Sequence, residues 1–240
     1  MKFVIAHLYY DLMNLYGESG NVIALQKALE QLGIDVSIEF ITIDDEIDFS
    51  KYDLIYIGAG TEKNQLLALE HLLSYKEELW KRMSHLSFFV TGNAIELFGR
   101  EIIDEHQVSY PALSFFPFRA ERKNIRIVDE VVATCDFLKT PVIGFQNQKS
   151  VIEHLKNPIF QVRQGVGSSP NTKYDGIMTK QFFGTYFIGP ILIRNPHLLT
   201  YYVKQLVKKK DPEFKMKRLN LTFEKKAYEE HLKQLELTEK

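Results

Sequence analysis

Strand-like apolar runs alternate with helix-like amphipathic stretches through the first hundred residues of this chain. The clearest run lies within residues 53–57, which read Asp-Leu-Ile-Tyr-Ile and stop at a glycine-rich turn, residues 58–60. Continuous apolar strands of this kind are buried on both faces, as happens in parallel sheets covered by helices. Parallel neighbours need crossover connections, which are usually helices. The alternation therefore predicts an α/β fold with a central, largely parallel sheet and helices on both faces.

Periodicity and turn residues mark the first elements. The helix predicted over residues 21–32 repeats valine and leucine at helical spacing, and Gly33 is positioned to end it. A second, long helix is predicted over residues 62–83, because its apolar side chains return to one face. That face comprises Leu66, Leu69, Leu73 and Trp80. The predicted strands in this part are residues 2–8, 36–41, 53–57 and 87–91.

The pattern changes after the first hundred residues. Residues 92–93 predict a tight turn into a short helix that reaches Gly99. From residue 109 to about 185, short β-type runs alternate with turns, which predicts mixed or antiparallel strands. These runs are residues 125–134, 141–146 and 182–186, and helices are predicted over 195–210 and 222–237. Since no linker rich in Pro, Gly or Ser divides the chain, one domain over residues 1–240 is expected.

Composition narrows the classes of partner. The 240 residues are 45% apolar, ordinary for a packed core, and carry a formal net charge of -1. That balance argues against nucleic acid, whose partners usually show a basic domain, and the basic run near residues 204–218 is expected to be a solvated surface. No run approaches the length of a membrane span. The single cysteine excludes an internal disulfide, so a cytoplasmic location is expected.

Three collinear segments carry a specific pattern. Residues 10–21 read Tyr-Asp-Leu-Met-Asn-Leu-Tyr-Gly-Glu-Ser-Gly-Asn, residues 57–65 read Ile-Gly-Ala-Gly-Thr-Glu-Lys-Asn-Gln, and residues 184–190 read Gly-Thr-Tyr-Phe-Ile-Gly-Pro. They resemble the Asp-x-x-Asn-Leu-Tyr-x-x-x-Gly-Asn, Ile-Gly-Gly-Gly-x-x-x-x-Gln and Gly-Thr-Tyr-Leu-His-Gly-Pro motifs of class I glutamine amidotransferases of the cobyric-acid-synthase type. Within that family the chain looks most like the amidotransferase subunits of lipid II isoglutaminyl synthase. The resemblance spans nearly the whole chain.

The resemblance implies a catalytic cysteine on a strand-to-helix elbow and a histidine in the third motif. A helix N-terminus lowers the thiol pKa in such enzymes, nearby amides hold the oxyanion, and the histidine moves the proton. Here residues 88–94 read Phe-Phe-Val-Thr-Gly-Asn-Ala. An ungapped alignment places Gly92 at the cysteine position, a one-residue shift places Thr91 there, and Ile188 stands at the histidine position. Because isoleucine cannot move a proton, a glutaminase-inactive member of the family is expected.

Other residues could bind a ligand or substitute in the chemistry. The turn of Gly58, Ala59 and Gly60 could present backbone amides to an anion or carboxylate, although a simple tight turn is an equal alternative. The polar side chains expected to line a surviving pocket are Gln65, Asn93, Glu96, Gln146 and Asn147. Cys135 is expected to be a buried, inert thiol, and His154 a surface histidine. No metal site and no cofactor are implied.

The resemblance also implies a partner. Family members of this type act with a Mur-ligase-like subunit that uses the released ammonia on a peptidoglycan precursor. The expected function is therefore a supporting or regulatory subunit of a Mur-ligase-like or other synthetase. Two alternatives stay open: a glutamine or amide sensor that kept the pocket, and an amidohydrolase that uses Thr91 or an unrecognised nucleophile.

Overall fold

One mixed sheet of eleven strands organises residues 1–153 and 155–238, which are the residues that the computed structural model describes. The strands are β1 Lys2–Leu8, β2 Asp35–Ile41, β3 Leu54–Ile57, β4 Ser87–Thr91, β5 Glu101–Ile103, β6 Ser109–Pro111, β7 Arg119–Thr134, β8 Val142–Ile152, β9 Pro158–Gln164, β10 Tyr174–Met178 and β11 Phe182–Thr185. The helices are α1 Ser19–Gln31, α2 Glu62–Leu73, α3 Lys76–Arg82, α4 Ile191–Arg194, α5 Pro196–Lys210 and α6 Thr222–Thr238. Two short 3-10 segments, Phe49–Lys51 and Gly92–Phe98, lie in the connections before β3 and after β4.

The sheet is parallel on one side and antiparallel on the other. Its spatial order is β2-β1-β3-β4-β11-β10-β9-β7-β5-β6, with β8 paired to β7. The neighbours from β2 to β11 run parallel, whereas β11, β10, β9 and β7 alternate in direction. The predicted α/β class, its parallel core and the later mixed strands are confirmed.

Helices cover both faces of the parallel strands, as predicted. On one face, α1 and α5 bury leucines such as Leu29 and Leu206 against Phe89 and Phe183 of the sheet. On the other face, α2 and α3 bury Leu72 and Leu79 with Ile55 and Val90. The core is therefore two apolar layers separated by the sheet, the arrangement that parallel strands require.

The prediction of one continuous helix over residues 62–83 is wrong, because the structure has two helices there. The break lies at Ser74 and Tyr75, where the Ser74 hydroxyl donates to the carbonyl of His71 (2.6 Å) and the Tyr75 hydroxyl accepts from the backbone amide of Ile47 (3.2 Å). Because of this break, the buried positions of α3 do not continue the apolar stripe predicted for residues 62–83. Leu79 is consequently the buried side chain of α3, and Trp80, which was expected in the apolar stripe, is 51% exposed.

The C-terminal helices form where the sequence predicts them, within a few residues at each end. Helix α5 packs in the α1 layer, and α6 lies against the β7–β8 pair through Tyr228 and Leu235, which contact Val132 and Ile143. In the described part of the chain, no helix is both long enough and apolar enough to cross a membrane.

The carboxyl ends of three neighbouring strands bring the sequence motifs together. Strand β3 leads into residues 58–60, β4 into Gly92 and β11 into residues 186–190. Thr91 pairs in register with Thr185, and Ile57 with Val90. This edge of an open α/β sheet is where ligands usually bind.

Candidate functional site

The turn after β4 has the backbone of an elbow. Gly92 has φ +60, in the left-handed region that side chains rarely occupy, and the 3-10 segment Gly92–Phe98 begins there. A Cβ atom added to Gly92 would lie 2.5 Å from the Cβ of Ala59 and 2.7 Å from the Cγ2 of Ile188. Both distances are below van der Waals contact. The turn is thus built around a residue without a side chain.

Ile188 is fixed beside this elbow. Its side chain is buried, and its backbone amide donates to the carbonyl of Phe145 at 2.8 Å, in an isolated β-bridge. The glycine-rich turn, the elbow and the third motif therefore meet at one point, through Ala59, Gly92 and Ile188. The meeting point is apolar.

Three oxygens beneath the elbow form a closed triangle. The carboxylate Oε2 of Glu18 accepts from the hydroxyls of Tyr56 (2.8 Å) and Thr91, and those hydroxyls lie 2.9 Å from each other. All three residues are buried. Three hydrogen bonds among three oxygens need three protons, and the two hydroxyls supply two. As a carboxylate, Glu18 accepts from both hydroxyls. When it is protonated, which burial favours by raising its pKa to about 7, its Oε2–H donates to one hydroxyl, that hydroxyl donates to the other, and the second donates back to Oε2.

Asn21 and Glu18 attach the first motif to the third. The Asn21 amide donates to the Tyr56 hydroxyl (2.9 Å) and accepts from the backbone amide of Leu192 (3.0 Å). The other carboxylate oxygen of Glu18 accepts from the amide of Gly189 at 2.8 Å. The loop that carries Ile188 is consequently held from below by side chains more than 160 residues earlier in the chain.

A polar cavity of about 240 Å³ opens beside the elbow. Its lining residues are Leu15, Tyr16, Ala59, Gly60, Thr61, Glu62, Gln65, Asn93, Glu96, Arg126, Asn147, Gln148, Lys149 and Ser150. The volume is small compared with drug-sized pockets and suits a ligand of amino-acid size. The lining includes neither the elbow residues Thr91 and Gly92 nor Ile188.

Glu96 is a buried acid in this lining. Its carboxylate accepts from the side-chain amide of Gln65 (2.8 Å), the hydroxyl of Ser150 (3.0 Å) and the hydroxyl of Tyr186 (3.1 Å). Burial raises its pKa to about 7, despite these hydrogen bonds. Near neutral pH the cavity can therefore hold this group either as an acid or as a carboxylate.

The cavity also contains a cation and a free acceptor. Arg126 forms an ion pair with Glu62, and its guanidinium donates to Asn147 Oδ1 at 3.1 Å. Gln148 is buried; its Nε2 donates to the carbonyls of Ser150 and Ser168, while its Oε1 has no hydrogen-bond partner among the described residues. A buried acceptor without a partner is rare enough to require an explanation, and a ligand donor would provide one.

The glycine-rich turn is used for packing. The amide of Gly60 donates to Asn93 Oδ1 (3.0 Å), and Asn93 Nδ2 donates back to the carbonyl of Gly60 (2.9 Å). A Cβ atom at Gly58 would lie 2.5 Å from both the side chain of Glu18 and the carbonyl of Met13. The Gly60 amide is therefore already occupied, which favours the tight-turn alternative at this position.

The remaining predicted residues lie outside the cavity lining. Gly58 is packed behind it, and Gln146 is fully buried, with its amide donating to the carbonyl of Gly167 at 3.2 Å. Cys135 follows β7 in the α1 layer, where burial raises its thiol pKa to about 11. His154 falls outside the described residues. Within residues 1–153 and 155–238, no group of three or more His, Cys, Asp or Glu side chains has the geometry of a metal site.

Comparison with known proteins assigns the family. Residues 4–196 match the model of the CobB/CobQ-like glutamine amidotransferase domain, which is most of the chain. The chain belongs to this family. It is 27% identical over 220 residues to the GatD subunit of the glutamine-hydrolyzing lipid II isoglutaminyl synthase of Staphylococcus aureus, covering 91% of this chain and 90% of that protein. It is 28% identical over 211 residues to the GatD subunit of Streptococcus pneumoniae, covering 86% and 81%.

Solved structures agree on the fold of this CobB/CobQ-like domain. A crystal structure of a glutamine amidotransferase superposes with a TM-score of 0.53 at 16% identity, over 84% of this chain and 98% of that one. The glutaminase domain of Trypanosoma brucei CTPS, solved with bound acivicin, gives 0.50 at 8% identity, over 91% and 98%. At such identities the likeness concerns the fold alone.

The sequence patterns did not predict several site residues of this CobB/CobQ-like domain. Glu18 and Asn21 stand inside the first motif, so the motif itself was the available signal, but their contacts are with residues far along the chain. Arg126 and Gln148 sit on β7 and β8, where alternating exposed and buried positions give no hint of a cavity. Gln148 pairs with Ile127, the neighbour of Arg126, across the β7–β8 hairpin, and this pairing brings Arg126 and Gln148 to the same place.

Proposed function

We propose that this chain is a glutaminase-inactive member of the CobB/CobQ-like glutamine amidotransferases, acting as a supporting or regulatory subunit of a synthetase. The observation that carries the proposal is the contact between Ala59, Gly92 and Ile188. The resemblance puts a nucleophilic thiol and an imidazole at the latter two positions. Here they are a hydrogen atom and an alkyl side chain, neither of which can attack an amide or move a proton.

The other groups near the elbow do not replace that pair. Cys135, the only thiol in the chain, is buried in a different layer with a raised pKa, and the nucleophilic form of cysteine is the thiolate. The Thr91 hydroxyl is buried and already hydrogen-bonded to Glu18 and Tyr56. A substrate carbonyl would have to displace those bonds and enter a space that the cavity does not reach. This geometry speaks against the amidohydrolase alternative.

The proposed partner is a Mur-ligase-type or other ATP-dependent synthetase in the cytoplasm. Both curated relatives are subunits of a larger enzyme, lipid II isoglutaminyl synthase, and the chain matches more than four fifths of each. A chain that lost its own chemistry but kept this framework can still stabilise a partner or present a pocket to it. By the same analogy with these relatives, we propose that the partner amidates a peptidoglycan precursor.

A second candidate function is a sensor for glutamine or a related carboxylate, and the cavity favours it. Arg126 can hold an α-carboxylate, while Glu96 and the unpartnered Oε1 of Gln148 can accept from an ammonium or amide group. These groups match the three polar parts of a free amino acid with an amide side chain. The sensor and subunit functions are compatible with each other.

The test combines isolation with a glutaminase assay. The tagged chain is purified from its native cells, and any stoichiometric partner is identified by mass spectrometry. A co-purifying synthetase, with no ammonia release from glutamine above a heat-killed control in the presence of ATP and acceptor, supports the proposal. Ammonia release from the complex overturns it. If that release is lost in Thr91→Ala and retained in Thr91→Ser, the amidohydrolase alternative takes its place.

The sensor function is tested without a partner. Calorimetry of the isolated chain with glutamine and with glutamate at millimolar concentration measures binding directly. Arg126→Gln is expected to weaken binding about tenfold or more by removing a charge-assisted contact. Arg218→Gln, at a basic groove outside this cavity, is the matched control. Heat that is absent at millimolar ligand, or unchanged in Arg126→Gln, contradicts a sensor at this cavity.

A further inference from the structure

A cationic recess lies at the edge of the sheet opposite the candidate site. Two adjoining cavities of about 460 and 390 Å³ open at the amino ends of the parallel strands. Both are lined by Ser87, Lys180, Gln181, Leu206 and Lys209. Ser87 begins β4 and Thr91 ends it, so the recess is roughly 13 Å from the elbow at the usual rise per residue of a strand.

Lys209 occupies an unusual place in this recess. It is half-buried in the last turn of α5, and its Nζ donates to the hydroxyl of Ser87 at 2.8 Å. Across residues 1–153 and 155–238, no carboxylate forms an ion pair with it. The next residue, Lys210, differs in this respect, because its Nζ donates to Asp53 at 2.6 Å. Burial, followed by repulsion from Lys180, lowers the pKa of Lys209 to about 8.

The surroundings of Lys209 favour an anion. The charged or titratable groups that line the two cavities are Lys180, Lys208, Lys209, Lys210, Asp53, His85, Tyr201 and Tyr202. Asp53 is the one carboxylate in that lining. It forms its ion pair with Lys210, and its attraction on Lys209 is outweighed by burial and by Lys180. Lys180 and Lys208 are exposed and form no ion pair within the described chain. The recess therefore concentrates uncompensated positive charge around a half-buried amine.

We propose that Lys209 is an acylation site, modified by small acyl phosphates whose phosphate group binds beside Lys180. The neutral amine of Lys209 attacks the acyl carbonyl carbon, and an amide bond forms. The bond between that carbon and the phosphate oxygen breaks. Phosphate leaves and takes up the proton that the amine loses. No oxidant, metal or further reactant is needed.

The geometry supports each step. A lysine beside another cation loses its proton more easily, which makes its amine nucleophilic near neutral pH. The same second cation attracts the phosphate and so places the carbonyl near the amine. The product amide is uncharged, which relieves the repulsion with Lys180. Lys210 lacks these conditions, because its ammonium is held by Asp53.

The first experiment compares these two neighbouring lysines. The folded chain is treated with acetyl phosphate at about pH 7, 8 and 9, and acetylation is measured by peptide mass spectrometry. At about pH 8, Lys209 is expected to react about tenfold faster than Lys210, since burial and Lys180 favour the neutral amine of Lys209, whereas the ammonium of Lys210 is paired with Asp53. Equal rates at the two positions overturn the proposal.

The second experiment tests the role of Lys180. Lys180→Gln is expected to slow acetylation of Lys209 by acetyl phosphate roughly threefold or more while leaving Lys210 unchanged, because both the pKa effect and the phosphate contact are lost. Unchanged circular dichroism and melting temperature verify the fold. A neutral acetylating ester is the control reagent. A rate that does not respond to Lys180→Gln, or that falls equally with the neutral ester, contradicts phosphate binding beside Lys180.

Discussion

The Cγ2 atom of Ile188 lies 2.7 Å from the position that a Cβ atom on Gly92 would take, and the Cβ of Ala59 lies 2.5 Å from the same point. Positions 59, 92 and 188 are therefore coupled: an alkyl group at 188 and a methyl group at 59 fill the space that any larger residue at 92 would need. In the motif that residues 57–65 resemble, glycine stands where this chain has Ala59. Ala59, where the glycine-rich turn departs from that motif, thus lies next to the elbow.

Coupling between positions 59 and 92 can be measured as stability. Gly92→Ala is expected to destabilise the fold by about 2–4 kcal/mol, because it adds overpacking to the strain of a left-handed backbone. In an Ala59→Gly background the same change is expected to cost about 1–2 kcal/mol less, since one of the two clashes is gone. Urea denaturation of the four chains of this cycle provides the measurement.

The matched control is Gly33→Ala. Gly33 has φ +78, and a Cβ atom there would meet nothing within 4 Å, so this variant reports backbone strain alone. Gly92→Ala must therefore cost more than Gly33→Ala. If the effects of Ala59→Gly and Gly92→Ala simply add, the side chains at these positions do not share the space as described.

If the chain is glutaminase-inactive, as proposed, installing a thiol and an imidazole is expected to need Ala59→Gly as well. Gly92→Cys with Ile188→His supplies a thiol and an imidazole, but the new Cβ still meets Ala59. Full glutaminase turnover is not expected from that pair. Adding Ala59→Gly should raise ammonia release and the rate of thiol alkylation, because the elbow can then keep its backbone geometry. Equal activity of the double and triple variants would show that Ala59 is no obstacle.

The sequence predicts what depends on short-range patterns. The apolar runs of β1, β3 and β4 and the glycine that ends α1 were all visible in the chain, and parallel pairing then requires that the motifs after β3, β4 and β11 meet at one edge. The break between α2 and α3 was not visible. It is stabilised by a contact between Tyr75 and Ile47, and helical periodicity carries no information about such a contact.

For the candidate site, too, short-range patterns predict which residues take part but not the contacts between them. Which residues stand at the elbow followed from motif order, whereas the contact of Ala59 with Gly92 is a matter of ångströms in the assembled fold. The Glu18–Tyr56–Thr91 triangle likewise joins three segments separated by more than 30 residues each. Long-range polar contacts of this kind depend on the whole packing, and no local rule generates them.

His7 is expected to make the fold sensitive to acid. Its side chain is fully buried against Tyr56, with ring centroids 5.1 Å apart, and neither ring nitrogen has a hydrogen-bond partner in the part of the chain that the structure describes. Burial lowers its pKa from 6.5 to about 4. The unfolded chain therefore binds a proton at His7 at a higher pH than the folded chain does. The contribution of the neutral His7 to stability is thus present above pH 6.5 and is lost as pH falls toward about 4.

The variant His7→Leu isolates this effect. Between about pH 7 and 4, wild type is expected to lose roughly 2–3 kcal/mol relative to His7→Leu, at 1.36 kcal/mol for each pKa unit. His106→Leu, at an exposed histidine, is the control for replacing a histidine by leucine. Urea midpoints across the pH range give the answer. A difference between wild type and His7→Leu that stays constant with pH would mean that His7 titrates normally in the folded chain.

Glu18 is expected to act in the opposite sense, because burial favours its protonated form over the carboxylate. Its pKa is raised from 4.5 to about 7, so the folded chain binds a proton more tightly than the unfolded one. The resulting stability is fully present below pH 4.5 and is lost as pH rises through about 7. Burial likewise raises the pKa of Glu96 and Asp175, so only a variant can isolate the share of Glu18.

Glu18→Gln is that variant, since a neutral amide can donate the third proton of the triangle at every pH. At about pH 8 it should be at least as stable as wild type, whereas toward about pH 4.5 wild type should gain roughly 2–3 kcal/mol relative to it. Glu229→Gln, at an exposed carboxylate on α6, controls for the loss of a charge. If urea denaturation shows the same stability difference between wild type and Glu18→Gln at both pH values, the carboxyl of Glu18 is not the proton donor and the triangle is held by the two hydroxyls alone.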